Sequence, residues 1–105
     1  MNLEDKQVNI LKSLAHPIRV KIVRKLIDNS LCVCELNQDI SFSQSNLSQH
    51  LKILKDADIL IQEKDGNKTY FRIKNKEVID LLDIVEKLAF KELSRIQYQI
   101  GGKII

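Results

Sequence analysis

The fold is decided by residues 43–56, which read SQSNLSQHLKILKD. Leu47, Leu51 and Leu54 recur at helical spacing, so this stretch predicts an amphipathic helix with one buried face. Ser43 is the predicted N-cap, because its hydroxyl can accept a hydrogen bond from a free amide at the helix start. The remaining surface is polar, and its donor and acceptor side chains are Gln44, Ser45, Ser48 and Gln49, followed by Lys52.

A helix with this polar face suits the major groove of DNA, where short side chains near the helix N-terminus reach base edges. Residues 44, 45, 48 and 49 share one helix face and are the predicted base-reading set. The alternative interpretation is an ordinary solvated helix face. The elements around the helix therefore have to decide between the two.

The surrounding sequence predicts a mainly α architecture with a small β-hairpin. A turn-forming segment at 65–68 separates two β-rich runs, which indicates the hairpin. A short helix with Leu36 and Ile40 facing inward precedes the polar-faced helix. The order helix, helix, short strand, helix, helix, hairpin, helix is that of a winged helix-turn-helix. The predicted ranges are 3–15, 17–27, 31–33, 35–40, 44–56, 59–64, 69–73 and 76–97.

Length and composition fit a single small domain. The chain has 105 residues, 44% hydrophobic and 30% charged, and one domain is predicted at 1–100 with a loose tail at 101–105. Within it, the helix-turn-helix is predicted at 32–57 and the wing at 59–73. Apolar runs are short and the first residues are acidic, so neither a membrane span nor a secretory signal is expected. The predicted location is cytoplasmic.

Charge is distributed unevenly along the chain, although the net charge is only +3. Residues 1–76 hold 13 Lys and Arg against 9 Asp and Glu, which gives +4, whereas residues 77–105 hold 4 against 5, which gives −1. The basic surplus thus falls in the part predicted to read DNA, and the last helix suits a protein partner better. No catalytic constellation stands out, so an enzyme is not expected.

Four stretches resemble the ArsR/SmtB family of metal-responsive winged helix-turn-helix repressors. They are LAHPIRVKIV at 14–23, LCVCEL at 31–36, SQSNLSQHLKIL at 43–54 and DGNKTYFRI at 65–73. The resemblance covers roughly residues 5–97, in the family's order and spacing. It implies a homodimeric repressor that binds double-stranded DNA at an imperfect palindrome and contacts bases through Gln44, Ser45, Ser48 and Gln49.

The hairpin and the terminal helices extend this prediction. Lys64, Asn67 and Lys68 surround the hairpin tip and are predicted to reach DNA phosphates. A merely soluble hairpin is the alternative, because neighbouring acidic residues dilute the charge. Helices 3–15 and 76–97 carry more apolar residues than one small module needs, so they are predicted to pack across a two-fold axis. The alternative is a monomer in which both helices complete the core.

Cys32 and Cys34 are the only cysteines, and they are predicted to be reduced thiols rather than a disulfide. Cys32 is placed before the short helix and Cys34 near its N-cap, so modest unwinding could direct both thiolates to one soft ion. The resemblance implies arsenite or antimonite as the effector, with no required cofactor. Asn37 stands where some arsenite sensors have a third cysteine, which leaves two sulfurs per chain.

Several alternatives for these residues stay open. The pair could sense Cd(II), Pb(II) or Cu(I), could act as a redox or persulfide switch, or could simply fill core space. A thiol oxidoreductase is disfavoured because the C-x-x-C spacing is missing, and a winged helix that binds only proteins is a further class. The final helix has acidic residues but no histidine, so no zinc site is predicted there. His16 and His50 are expected to be structural.

Overall fold

The structure is a computed structural model that describes the backbone of residues 1–43 and 45–104 and the side chains of residues 1–43 and 45–96. Two helices are followed by a short strand, a third helix and a 3₁₀ turn, then the fourth helix, a hairpin and a long fifth helix. The elements are α1 Leu3–Leu14, α2 Pro17–Lys25, β1 Leu31–Cys32, α3 Val33–Gln38, the 3₁₀ turn Ile40–Phe42, α4 Leu47–Asp56, β2 Leu60–Asp65, β3 Lys68–Ile73 and α5 Glu77–Ile104.

The chain divides into two compact units, Met1–Asn75 and Lys76–Ile105, which are described separately. The first unit contains the three-stranded antiparallel sheet in the order β1-β3-β2. Gly66 and Asn67 form the two-residue hairpin turn, and Gly66 has a φ of 66°. A positive φ at the first central position is what a type II′ turn requires, which explains the glycine. The element order and the hairpin together confirm the predicted winged helix-turn-helix fold.

The core of the first unit explains why α4 has a fixed orientation. Leu47, Leu51 and Leu54 are all buried, as their helical spacing predicts. They lie on the face of α4 that packs against α2 and β2. A buried leucine is worth about 1.5–3 kcal/mol relative to an exposed one, so three of them hold the helix firmly. The other buried residues of this core include Ile22, Val23, Leu26, Leu36, Ile59 and Leu60.

The segment between α3 and α4 differs from its prediction. Helix α3 ends at Gln38 and a 3₁₀ turn follows, so Ile40 is 86% exposed and the expectation that it faces inward is wrong. Phe42, which the sequence placed in a turn, is 3% exposed and fills the core instead. The change from α to 3₁₀ geometry shifts which side chain points inward. One aromatic ring therefore replaces the expected isoleucine.

Helix α4 begins three residues later than predicted. Its N-cap is Asn46, whose Oδ1 accepts from the Gln49 amide at 3.4 Å, and Ser43 instead follows the 3₁₀ turn. Ser45 therefore precedes the helix, and its hydroxyl donates to the Phe42 carbonyl at 2.8 Å. Asparagine is as good an N-cap as serine. Asn46, which directly precedes the buried Leu47, therefore caps the helix in place of Ser43. Gln44 lies outside the described residues.

The second unit is one long helix, α5, which continues through residue 104 where a loose tail was predicted from residue 101. Glycine weakens a helix without breaking its hydrogen-bonding pattern, so Gly101 and Gly102 do not end it. Ile84, Leu88 and Phe90 are each more than 60% exposed on this helix. No helix within the described part of the chain is long and apolar enough to cross a membrane.

Candidate DNA interface and thiol site

The start of α4 presents polar side chains to solvent, as a DNA-reading helix must. Ser48 and Gln49 are exposed in its first turn. Gln49 Oε1 accepts from Asn46 Nδ2 at 3.2 Å, which orients the amide of Gln49. Lys52 is exposed one turn later and its Nζ is 2.8 Å from Asp56 Oδ2. Ser45 lies beside this turn but is half-buried, with its hydroxyl engaged by the backbone.

Asp39 fixes the turn that leads into α4. Its Oδ1 accepts from the Ser41 amide at 2.9 Å, and its Oδ2 is 2.9 Å from Lys25 Nζ on α2. The lysine, together with the hydrogen bond from the Ser41 backbone, holds the pKa of Asp39 below its usual 3.8. The carboxylate therefore stays charged and links α2 to the segment before the recognition helix. Neither role was visible in the sequence.

The hairpin carries Lys64, Asn67 and Lys68 at or near its tip, and all three are exposed. Lys64 faces Thr69 across the strand pair, and Asp65 faces Lys68. Glu63, which was expected to dilute the positive charge, forms an ion pair with Arg72. Glu63 is thus partly neutralised, whereas Asp65, the other acidic residue expected to dilute the charge, lies opposite Lys68 at the tip.

A groove of about 350 Å³ lies between α4 and the hairpin. Its lining combines apolar side chains with polar and basic ones, among them Ser48 and Lys52 of the predicted set. Lys55, Gln62 and Thr69 also line it, and the sequence analysis did not select them. Of these three residues, Lys55 could have been predicted from the sequence. It lies three residues after Lys52, and residues at that spacing are neighbours on a helix surface.

Cys32 and Cys34 are joined by a disulfide, so the expectation of reduced thiols is wrong in this structure. Cys32 itself is the N-cap of α3, and Cys34 lies in the first turn, because the helix begins at Val33, two residues earlier than predicted. The backbone passes from extended at Cys32 to helical, which places the two Cα atoms 5.3 Å apart. This separation is within the range of protein disulfides.

The surroundings of the two sulfurs are unequal. Cys32 is 2% exposed, whereas Cys34 is exposed to solvent. Cys32 Sγ accepts from the Glu35 amide at 3.3 Å, and Glu35 Oε1 accepts from the Cys32 amide at 3.3 Å. Glu35 is therefore engaged in the helix cap. Among the described residues, no group of three His, Cys, Asp or Glu side chains is placed to hold a metal ion.

Cys32 also belongs to the sheet. In β1 it lies opposite Tyr70 of β3, and Tyr70 in turn lies opposite Glu63 of β2. The same residue therefore caps α3 and pairs with the hairpin strand.

Comparisons with known proteins agree with this geometry. The model of the family described as "Bacterial regulatory protein, arsR family" matches residues 16–62. The arsenical resistance operon repressor of Staphylococcus aureus is 38% identical over 75% of this chain and 73% of its own length. The crystal structure of an HTH-type regulator of Mycobacterium tuberculosis superposes with a TM-score of 0.76 at 33% identity, covering 88% of this chain and 94% of that one.

A third comparison concerns the transcriptional activator HlyU of Vibrio cholerae. A structure of reduced HlyU superposes with a TM-score of 0.69 at 32% identity, covering 81% of this chain and 90% of that one. The fold and the exposed face of α4 define a DNA-binding winged helix-turn-helix protein. The chain belongs to the ArsR family of bacterial regulatory proteins. It is a DNA-binding transcriptional regulator rather than an enzyme.

Proposed function

We propose that this repressor binds its operator as a homodimer and is released when the Cys32–Cys34 pair changes its chemical state. The observation that carries the proposal is the disulfide, which shows that both sulfurs lie within bonding distance at the start of α3. α3 directly precedes the turn that positions α4. A switch at this point therefore acts one element away from the recognition helix.

DNA reading is assigned to α4 and the wing. Ser48 and Gln49 contact base edges in the major groove, together with Gln44 and Ser45 of the preceding segment. Lys52, Lys64, Asn67 and Lys68 contact the phosphate backbone and supply affinity that depends on salt but not on sequence. The support is the exposure of Ser48, Gln49 and the hairpin tip, and the oriented amide of Gln49.

The dimer is assigned to α1 and α5, whose apolar side chains have large exposed fractions. Leu3 and Leu11 of α1 are 75% and 60% exposed, and Leu88, Phe90 and Leu93 of α5 are 60% exposed or more. Exposed apolar surface of this extent is typical of a protein interface. A two-fold arrangement places two recognition helices about one DNA turn apart, so the operator is an imperfect palindrome.

Oxidation is the trigger that the geometry favours. Two thiols lose two protons and two electrons to a two-electron oxidant, such as a peroxide or polysulfide, and an S–S bond forms between Cys32 and Cys34. The exposed Cys34 is the sulfur that such a reagent meets first. The reduced form binds DNA in this scheme, and the disulfide form has the lower affinity.

A thiophilic ion is the second candidate effector, favoured by the similarity to the arsenical resistance repressor. In the reduced protein the two thiolates would supply two ligands to As(III) or Sb(III), which soft sulfur ligands select. The third ligand of a trigonal site would be water or a small thiol. Cd(II), Pb(II) and Cu(I) are the remaining soft ions for the same two sulfurs.

The test is a fluorescence-anisotropy titration of promoter DNA with the reduced protein, followed by peroxide, polysulfide, arsenite or the other ions. The effective trigger is expected to raise the Kd by about 5- to 150-fold, the usual range of allosteric coupling. Cys32→Ser is a well-matched variant because serine also serves as an N-cap. Cys34→Ser removes the exposed sulfur and leaves that cap intact.

The outcomes separate the parts of the proposal. Release by an oxidant, with a Cys32–Cys34 bridge found by mass spectrometry, identifies the redox switch. Release of reduced protein by arsenite alone identifies the ion. If the oxidant or ion releases both serine variants from DNA as it releases the wild type, the cysteine pair is not the sensor. The proposal that the protein binds an operator would be unaffected by that result.

A further inference from the structure

The His16–Arg19–His50 cluster joins α2 to the recognition helix. His16 is the N-cap of α2, and its Nδ1 accepts from the Ile18 amide at 3.1 Å. His50 lies on α4, and its ring centroid is 4.5 Å from that of His16. Its Nδ1 faces Arg19 Nη1 at 3.4 Å. These are the two histidines of the chain.

Arg19 anchors this cluster to α1 as well. Its Nε donates to the Ser13 carbonyl at 2.6 Å, and its Nη2 donates to the Lys12 carbonyl at 3.4 Å. The guanidinium therefore binds the end of α1 with one side and His50 with the other. A single arginine of α2 thus links α1, α2 and α4.

The hydrogen bonds determine the protonation state of both rings. Arg19 and the Ile18 amide are donors only, so Nδ1 of each imidazole must be an unprotonated acceptor. A neutral ring then carries its hydrogen on Nε2. Protonation of His50 adds a hydrogen to its Nδ1, which then faces the Arg19 guanidinium as a second donor instead of an acceptor. The hydrogen bond of His50 with Arg19, which links α2 to α4, is lost at that step.

The charges around the cluster make protonation still less favourable. Burial is the main cause that lowers the pKa of His50, and electrostatic repulsion between its protonated form and the neighbouring His16 and Arg19 lowers it further. The pocket that both rings line contains no charged residue among its other described members, which are Ile18, Ser41, Ser43, Ser45 and Asn46. The pocket beside Arg19 contains Lys12 and Asp56 as its other charged residues. Asp56 is paired with Lys52 at 2.8 Å. No carboxylate among the described lining residues is thus left to offset a protonated His50.

We propose that this cluster makes operator binding acid-sensitive, because protonation of His50 breaks its hydrogen bond with Arg19 and so removes a contact between α4 and α2. The inference rests on the proposed role of α4 in reading DNA. Acidification otherwise adds positive charge to a protein and strengthens its attraction to DNA phosphates. A loss of affinity on acidification is opposite to this general electrostatic effect. It would therefore identify a specific effect of the histidine cluster.

The pH range follows from linkage. Because the pKa of His50 in the folded arrangement is below its usual 6.5, the neutral cluster stabilises the structure above that value. This contribution is lost as the pH falls through the folded pKa. Operator affinity is expected to be constant above about pH 7 and to fall below about pH 6.5.

The experiment measures the Kd for promoter DNA from about pH 7.5 to pH 5.5, at constant ionic strength and with a reductant that keeps the cysteines as thiols. The matched variant is His16→Asn with His50→Gln. Asparagine preserves the N-cap, and glutamine retains an acceptor for Arg19. The wild-type Kd is expected to rise several-fold, and that of the variant to stay level. Circular dichroism at each pH checks that both proteins remain helical.

The proposal is overturned if the wild-type Kd is level or falls on acidification, or if the variant follows the wild-type profile. Imidazole NMR on the wild type gives an independent check. A change in affinity must follow the titration of His50, and titration of His50 without such a change also contradicts the proposal. Failure to bind DNA at pH 7.5 would instead contradict the proposed function, so the two failures are distinguishable.

Discussion

Asp39 shows how a single residue outside α4 supports the start of that helix. Its carboxylate caps the 3₁₀ turn through Ser41 and pairs with Lys25 of α2. Asn46 then caps α4 a few residues later. Two short polar side chains therefore determine where the helix begins and how its first turn is presented.

The Asp39–Lys25 pair gives a prediction at this scale. Lys25→Gln is expected to raise the pKa of Asp39 toward its usual 3.8, because the neighbouring positive charge is removed. In the wild type the folded pKa is below that of the unfolded chain, so the pair contributes stability above about pH 3.8. That contribution disappears as the pH falls through the folded pKa.

Carboxyl NMR measures the pKa, and urea unfolding at neutral pH and at acidic pH measures the stability. Lys21→Gln is the matched control, since Lys21 is an exposed lysine of the same helix. Equal pKa values for Asp39 in both variants would contradict the role given to Lys25.

At the scale of elements, the wing is connected directly to the cysteine pair. β1 contains Cys32 and pairs with β3, which is one strand of the wing. In the proposed switch, a change at the cysteine pair can therefore act on the DNA-binding elements through the sheet as well as through α3 and α4. The sequence placed the cysteines beside the helix-turn-helix but did not indicate this strand pairing.

The double variant Lys64→Gln, Lys68→Gln tests the wing. Each phosphate contact contributes about one to the slope of log K against log salt, so the slope is expected to fall by roughly two. The affinity difference between the reduced and disulfide forms should also shrink, because part of that signal reaches DNA through β3. Anisotropy titrations at several salt concentrations measure both quantities.

Lys91→Gln on α5 changes a lysine far from the wing in sequence and serves as the control. An unchanged salt slope in the wing variant would show that the hairpin tip does not reach phosphates. An unchanged redox effect together with a reduced slope would assign the signal to α4 alone.

At the scale of the whole molecule, the exposed apolar residues of α1 and α5 are the basis of the proposed dimer. A solvated surface helix normally keeps such side chains on its covered face. Here Leu11 of α1 and Leu88 of α5 are 60% and 61% exposed. Assembly into a dimer would remove them from water and bring two reading helices to one operator.

Leu88→Lys is expected to shift the protein toward monomers, because a buried unpaired charge at a dimer interface is strongly unfavourable. Light scattering after gel filtration measures the mass, and anisotropy with a palindromic and a single half-site duplex measures the loss of operator affinity. Ile40→Lys is the control for oligomeric state, since Ile40 is 86% exposed outside α1 and α5. A Leu88→Lys protein that stays dimeric would remove α5 from the interface.

The sequence by itself determined the element order, the buried leucines of α4 and the hairpin, because each depends on side-chain periodicity or on a few adjacent residues. Only the tertiary structure decided the start of α4 at Asn46, the exchange of Ile40 for Phe42 in the core and the bond between Cys32 and Cys34. These features arise from competition between neighbouring caps and from the change of backbone geometry at each helix end. The contact of Arg19 with His50 joins residues 31 positions apart, and such contacts follow from how helices pack rather than from local pattern.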